Sequence, residues 1–98
     1  MREPLTDARI AEELKQLPGW SYADNRLTRS YKFKDFSEAL GLIVRVGLLA
    51  EQQGHHPELF NVYHTVKLSL NTHDAGGKVT AKDVDLARAI QKLDAVSG

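Results

Sequence analysis

The sequence predicts an α+β fold in two layers, a four-stranded antiparallel sheet with helices packed on one face, in the order α-β-β-α-β-β-α. Three observations predict it. Stretches of helical apolar spacing alternate with pairs of stretches in which apolar residues recur at every second position. The paired stretches are joined by hairpin-length connections, which force antiparallel pairing. The clearest strand sets Val66, Leu68 and Leu70 against Lys67, Ser69 and Asn71, so it has one apolar face and needs cover on one side only.

Each element has its own local reasons. Thr6 can cap a first helix, with Leu5 and Ile10 spaced as a hydrophobic staple; Ile10, Leu14 and Leu17 share a face, and Pro18-Gly19 ends it. Trp20 and Tyr22 share a parity, Asp24-Asn25 supply turn residues, and Leu27, Tyr31 and Phe33 then lie opposite Thr28, Ser30 and Lys32. That pattern is a hairpin with one buried face. Asp35 and Glu38 resemble a capping box and open the longest helix, which runs roughly to Gln53.

From Ala39 to Ala50 this helix is apolar except for Arg45, Gly41 and Gly47. Phe36, Leu40, Ile43, Gly47 and Ala50 form a stripe expected to face the chain's own sheet, while Leu42, Val46 and Leu49 lie off it. A helix apolar on more than one side is usually buried on more than one side. The second face is therefore expected to pack against another subunit; the plainer reading is a wide core stripe. The helix is too short and too interrupted to cross a bilayer. Phe60 and Val62 begin the third strand, and Val66 to Leu70 form the fourth, which leaves His73 on its polar face or just past its end. Gly76-Gly77 break the run. Thr80 starts the last helix, with Val79 and Val84 as a staple and Leu86, Ile90 and Leu93 on its inner face.

Composition bounds the function. A chain of 98 residues reads as a single domain over 1–98, large enough to fold around one core. Without cysteine it has neither disulfides nor thiolate metal sites. Thirteen basic residues balance thirteen acidic ones, so no net field draws the chain to nucleic acid or to an anionic membrane. Arg2, Glu3 and Asp7 interrupt the apolar core that a secretory signal needs, and a cytoplasmic location is expected.

All four histidines fall between Glu51 and Asp83, and the function is placed there. Imidazole gives or takes a proton near neutral pH at little cost, so several converging rings make a general acid/base site. The residues run Glu51, His55-His56-Pro57, Tyr63, His73, Asp83, set within Phe60-Asn61-Val62-Tyr63 and Thr72-His73-Asp74-Ala75-Gly76-Gly77. That order and spacing closely resembles the signature of pterin-4a-carbinolamine dehydratases. The resemblance extends through Lys34-Asp35-Phe36 and Asp83-Val84-Asp85-Leu86-Ala87, about two thirds of the chain. It departs at Leu59, where the family commonly has Trp, and at His64, where Asn is common; these changes bear on the pocket wall rather than on the reaction.

The resemblance implies subunits joined through sheet edges and long helices, as a dimer or tetramer. It implies a pterin substrate, 4a-hydroxytetrahydropterin, left by a pterin-dependent hydroxylase in the same pathway, and neither a metal nor an organic cofactor. On that reading His55 is the principal acid/base, His56 a second proton-transfer or ring-contact residue, and His73 the group that meets the hydroxyl. Asp83 holds an imidazole in its tautomer, with His73 the expected partner, while also capping the last helix. Glu51, Gly54, Pro57, Asn71, Thr72 and Asp74 are expected to contact substrate; Glu51 could instead orient a histidine. His64 reads as a bystander, and Tyr63 alone would be an edge-strand aromatic.

Two rival classes stand beside this one. A metal hydrolase would use the same residue types, although adjacent histidines aim poorly at one ion. An oligomerising binding module would act through the apolar helix, as some members of the resembled family do as a dimerisation cofactor for a homeodomain factor.

Overall fold

Both hairpins form, and the second sets its later strand beside the later strand of the first, so that the sheet runs first, second, fourth, third strand, antiparallel throughout. The computed structural model describes residues 3–97, with side chains described to residue 93. The elements are α1 (Asp7–Leu14), β1 (Ser21–Ala23), β2 (Arg26–Lys32), α2 (Phe36–Gln53), β3 (Glu58–Val62), β4 (Thr65–Leu70), a 3-10 turn (His73–Ala75) and α3 (Ala81–Ser97). This is the expected order. Asp24 (φ 53°) and Asn25 (φ 62°) make the first hairpin a two-residue turn with both residues left-handed, the geometry that matches strand twist. Tyr63 (φ 49°) opens the second turn, and the Asn61 amide braces it by donating to the carbonyls of Tyr63 (3.2 Å) and Thr65 (2.9 Å).

The register Leu27↔Leu70, Arg29↔Leu68 and Tyr31↔Val66 gathers the apolar residues on the helix-covered face, where Leu27, Val66, Leu68 and Leu70 are fully buried. The opposite face carries Ser30, Lys32 and Lys67, together with the exposed Phe60 and Val62. α3 closes the core with Val84, Leu86, Ala87 and Ile90, and its staple partner Val79 is buried too. α1 ends at Leu14 rather than at Pro18; Lys15, Gln16 and Leu17 continue as tighter turns, each N–H donating three residues back. Glu13 is buried between Arg9 and Arg88 and ties α1 to α3.

The orientation of α2 differs from the expectation. Ala39, Leu42, Val46 and Ala50 face the core. Phe36 and Leu40, expected there, are 47% and 45% exposed and continue outward into Val44 (55%) and Leu48 (68%). Leu49 and Ile43 are partly buried flanks. Both stripes have helical spacing, and periodicity alone does not say which one meets the sheet. The smaller residues settle it, since Ala39 and Ala50 let the helix approach the sheet closely. The prediction of two apolar faces holds, and Ala50 faces inward as expected, but Leu42 and Val46 take the core positions expected of Phe36 and Leu40. Among the described residues no helix is long and apolar enough to cross a membrane.

Candidate active site

Three chain segments meet at one end of the sheet: the C-terminus of α2, the loop leaving β4, and the first turn of α3. The α2 end is fixed by Gly54, which is left-handed (φ 64°), a conformation that a Cβ would strain. Gly54 N–H donates to Glu51 O (3.2 Å) and His55 N–H to Ala50 O (3.1 Å), the paired bonds of a Schellman cap. The backbone of His55 is thereby anchored to the core-facing side of α2. The next residue, His56, stays in solvent, where its Nε2 lies 2.8 Å from Glu51 Oε1. Glu51 thus orients a histidine, one of the two roles expected for it.

The second segment is a closed loop. Thr72 N–H donates to Lys78 O (2.8 Å), Gly77 N–H returns to Thr72 O (3.1 Å), and left-handed Gly76 and Gly77 allow the tight reversal. The Asn71 amide donates to Gly77 O (3.2 Å), and the 3-10 turn carries His73 on the exposed side of this loop. Thr72 points inward and is buried.

Asp83, the third residue of α3, joins the segments. It is fully buried, and its Oδ2 accepts from Thr80 N–H and from the Thr72 hydroxyl, both at 2.8 Å. Its Oδ1 lies 2.5 Å from His55 Nε2, and the His55 side chain is only 10% exposed. The carboxylate therefore caps the helix and holds an imidazole at once, but the imidazole is His55 and not His73. Twenty-eight residues separate the pair, and only the folded helices bring it together.

A cleft of about 290 Å³ opens over this arrangement, lined by Gly54, His55, His56, Asn71, Thr72, His73, Asp74 and Lys82. It gathers three histidines from two separate loops. Asp83 sits beneath it through His55, Glu51 stands at its edge through His56, and Pro57 lies outside the lining. Leu59 and His64 are not in it either: Leu59 lines a hollow beside β3, and His64 stacks on Tyr63 in the β3–β4 turn. The departures at those two positions thus fall outside the cleft wall, contrary to expectation. Lys82 was not anticipated. A lysine in the first turn of a helix opposes the helix dipole, and that unfavourable placement is the one signal of it in the sequence. Among the described residues no three of the His, Asp and Glu side chains gather closely enough to hold a metal ion.

The fold and cleft define a small two-layer α+β protein with a buried histidine-carboxylate pair beneath a cleft at one end of its sheet. The family model described as pterin 4 alpha carbinolamine dehydratase matches residues 3–93, well beyond the span of the motif. A Rhodopseudomonas palustris protein provisionally named a pterin-4-alpha-carbinolamine dehydratase is 53% identical over 97 residues, covering 97% of this chain and 95% of its own. A Streptomyces coelicolor protein with the same provisional name is 46% identical over 96 residues, covering 98% and 95%. A Brucella melitensis crystal structure titled transcriptional coactivator/pterin dehydratase superposes with a TM-score of 0.86 at 41% identity, covering 98% of this chain and all of that one. The chain belongs to the pterin-4a-carbinolamine dehydratase family.

Proposed function

We propose that the protein dehydrates 4a-hydroxytetrahydropterin to the quinonoid dihydropterin, in the cytoplasm and in the service of a pterin-dependent hydroxylase. The observation that carries this reading is the buried Asp83–His55 pair beneath a cleft also lined by His56 and His73. The carbon-oxygen bond at C4a breaks, the hydroxyl leaves as water after receiving one proton, and the neighbouring ring nitrogen gives up another. Proton in and proton out balance, and the ring keeps the electron pair that becomes the new double bond. His55 acts as the principal acid/base, since an ionised Asp83 accepts its Nε2–H and leaves Nδ1 as the nitrogen that exchanges protons. His73, across the cleft on the other loop, meets the departing hydroxyl, and His56 contacts the ring or relays a second proton. Asn71, Thr72, Asp74 and Gly54 line the remaining wall for the heterocycle.

The exposed α2 stripe of Phe36, Leu40, Val44 and Leu48 supports a homo-oligomer as the working form. The non-catalytic alternative draws on the same stripe, but nothing about the stripe explains the buried histidine-carboxylate pair. The test is the decay of freshly generated 4a-hydroxytetrahydropterin with and without the protein. Wild type should accelerate it, chelator treatment should leave the rate unchanged, and His55→Ala should lower kcat by about 10²- to 10⁴-fold, the usual worth of a positioned acid/base. Undiminished activity in His55→Ala would remove that assignment.

A further inference from the structure

We propose that Thr80, which lies outside the cleft, is a positioning residue for the reaction, setting the proton on His55 through a one-way chain of hydrogen bonds; this rests on the dehydratase reading above. The chain has four links. Lys82 N–H donates to Thr80 Oγ1 (3.2 Å), the Thr80 and Thr72 hydroxyl oxygens lie 2.7 Å apart, Thr72 reaches Asp83 Oδ2 (2.8 Å), and Asp83 Oδ1 faces His55 Nε2 (2.5 Å). Thr80 and Asp83 are fully buried and Thr72 nearly so, so water does not compete for these atoms.

Proton counting gives the chain its direction. A hydroxyl has one proton to donate, and an ionised carboxylate has none. The Thr72 proton is committed to Asp83, so Thr72 Oγ1 must accept from Thr80. Thr80, having given its proton to Thr72, must accept at its own oxygen, and the donor there is a backbone amide that cannot reverse. With Asp83 a carboxylate, both of its oxygens accept, Oδ2 from the Thr72 hydroxyl and the Thr80 N–H, and Nε2 of His55 is the nitrogen that carries the proton. Hydrogen bonds aligned in one sense polarise each other, and a buried polar chain broken at one link loses more than that link. Without the Thr80 hydroxyl, Thr72 loses the donor that fixes its rotation, Asp83 Oδ2 keeps only the Thr80 N–H as a fixed donor, and His55 loses the bias towards one tautomer.

The test compares Thr80→Val, which keeps the shape and deletes the hydroxyl, with Thr80→Ser, which restores it. Thr6→Ala serves as control, because it removes a similar helix cap, Thr6 Oγ1 accepting Arg9 N–H at 3.1 Å, far from the cleft. Histidine nitrogen NMR reads the His55 tautomer directly. The expected result is a single Nε2–H form in wild type and Thr80→Ser, and mixed tautomers in Thr80→Val. kcat in Thr80→Val should fall about tenfold with KM nearly unchanged, roughly the net worth of one buried hydrogen bond; Thr6→Ala should keep the wild-type kcat. Should Thr80→Val fail to fold, Thr72→Val breaks the next link while leaving the Thr80 hydroxyl and its bond from Lys82 N–H in place, and should give the same mixture. An unaltered tautomer in Thr80→Val, or a loss of kcat in Thr80→Val no larger than in Thr80→Ser or Thr6→Ala, would overturn the proposal. Absence of any dehydration by wild type would instead sink the dehydratase reading, leaving the nitrogen spectra to decide on the chain.

Discussion

His55 owes its position to two neighbours of different kinds. Gly54 turns the backbone so that the His55 amide returns to Ala50, and Asp83 receives the ring. Of these, the glycine is the more easily tested. Open space surrounds the position where a Cβ would stand, so an added methyl meets no clash and acts through the left-handed backbone alone. Gly54→Ala should therefore cost about 1 kcal/mol in urea denaturation, the usual penalty of a left-handed alanine. Its kcat should also fall, because the strain is relieved by moving His55. A variant with lowered stability and full activity would show that the cap does not position the ring. The individual histidines were legible in the sequence because of their spacing. The partner of His55 was not, because a bond across 28 residues leaves no mark on local pattern.

The elements carry their own electrostatics. α1 is held to α3 by Glu13, whose carboxyl hydrogen-bonds Arg9 Nε (2.9 Å) and pairs with Arg88. The Arg9 hydrogen bond, joined by the charge of Arg88 and opposed by burial, holds this carboxyl below the usual glutamate value of 4.5. A folded-state pKa below the unfolded one adds stability that is present above the unfolded value and lost as pH falls through the folded one. Both guanidiniums are about half exposed or more, so solvent screens the contribution to about 1 kcal/mol. Denaturation against pH should find Glu13→Gln less stable than wild type at pH 7. The two curves should converge below pH 4.5, with wild type falling more steeply. Parallel curves would show that the ion pairs do not contribute. Sequence periodicity set Ile10, Leu14 and Leu17 on one face of α1, whereas the burial of Glu13 depends on the arrival of Arg88 from α3.

At the scale of the whole molecule, α2 presents an apolar stripe that the single chain leaves uncovered. Leu48 is 68% exposed in the single chain, so Leu48→Lys on a monomer would change stability by no more than about 0.5 kcal/mol. In an oligomer built on the Phe36, Leu40, Val44 and Leu48 stripe, the same substitution buries an unpaired ammonium at the interface and should shift the sedimentation profile to smaller species. Circular dichroism of the dissociated form should keep its helical content, since the core-facing residues of α2 are untouched. An unchanged profile would move the interface elsewhere, for instance to the exposed edge of β3. The expectation of two apolar faces survived the structure, whereas the choice of inner face did not.

What the sequence determined by itself was everything with a short range: the periods of helix and strand, the caps at Thr6, Asp35 and Thr80, the turn at Asp24-Asn25, and the set of residues able to move protons. These follow from backbone geometry and hydrogen bonding within a few residues, so they are written in local order. The tertiary structure alone decided which face of α2 meets the sheet, which histidine Asp83 holds, and that Lys82 borders the cleft. Those outcomes depend on how three remote segments pack into one volume, and close packing selects among arrangements that local pattern leaves equal.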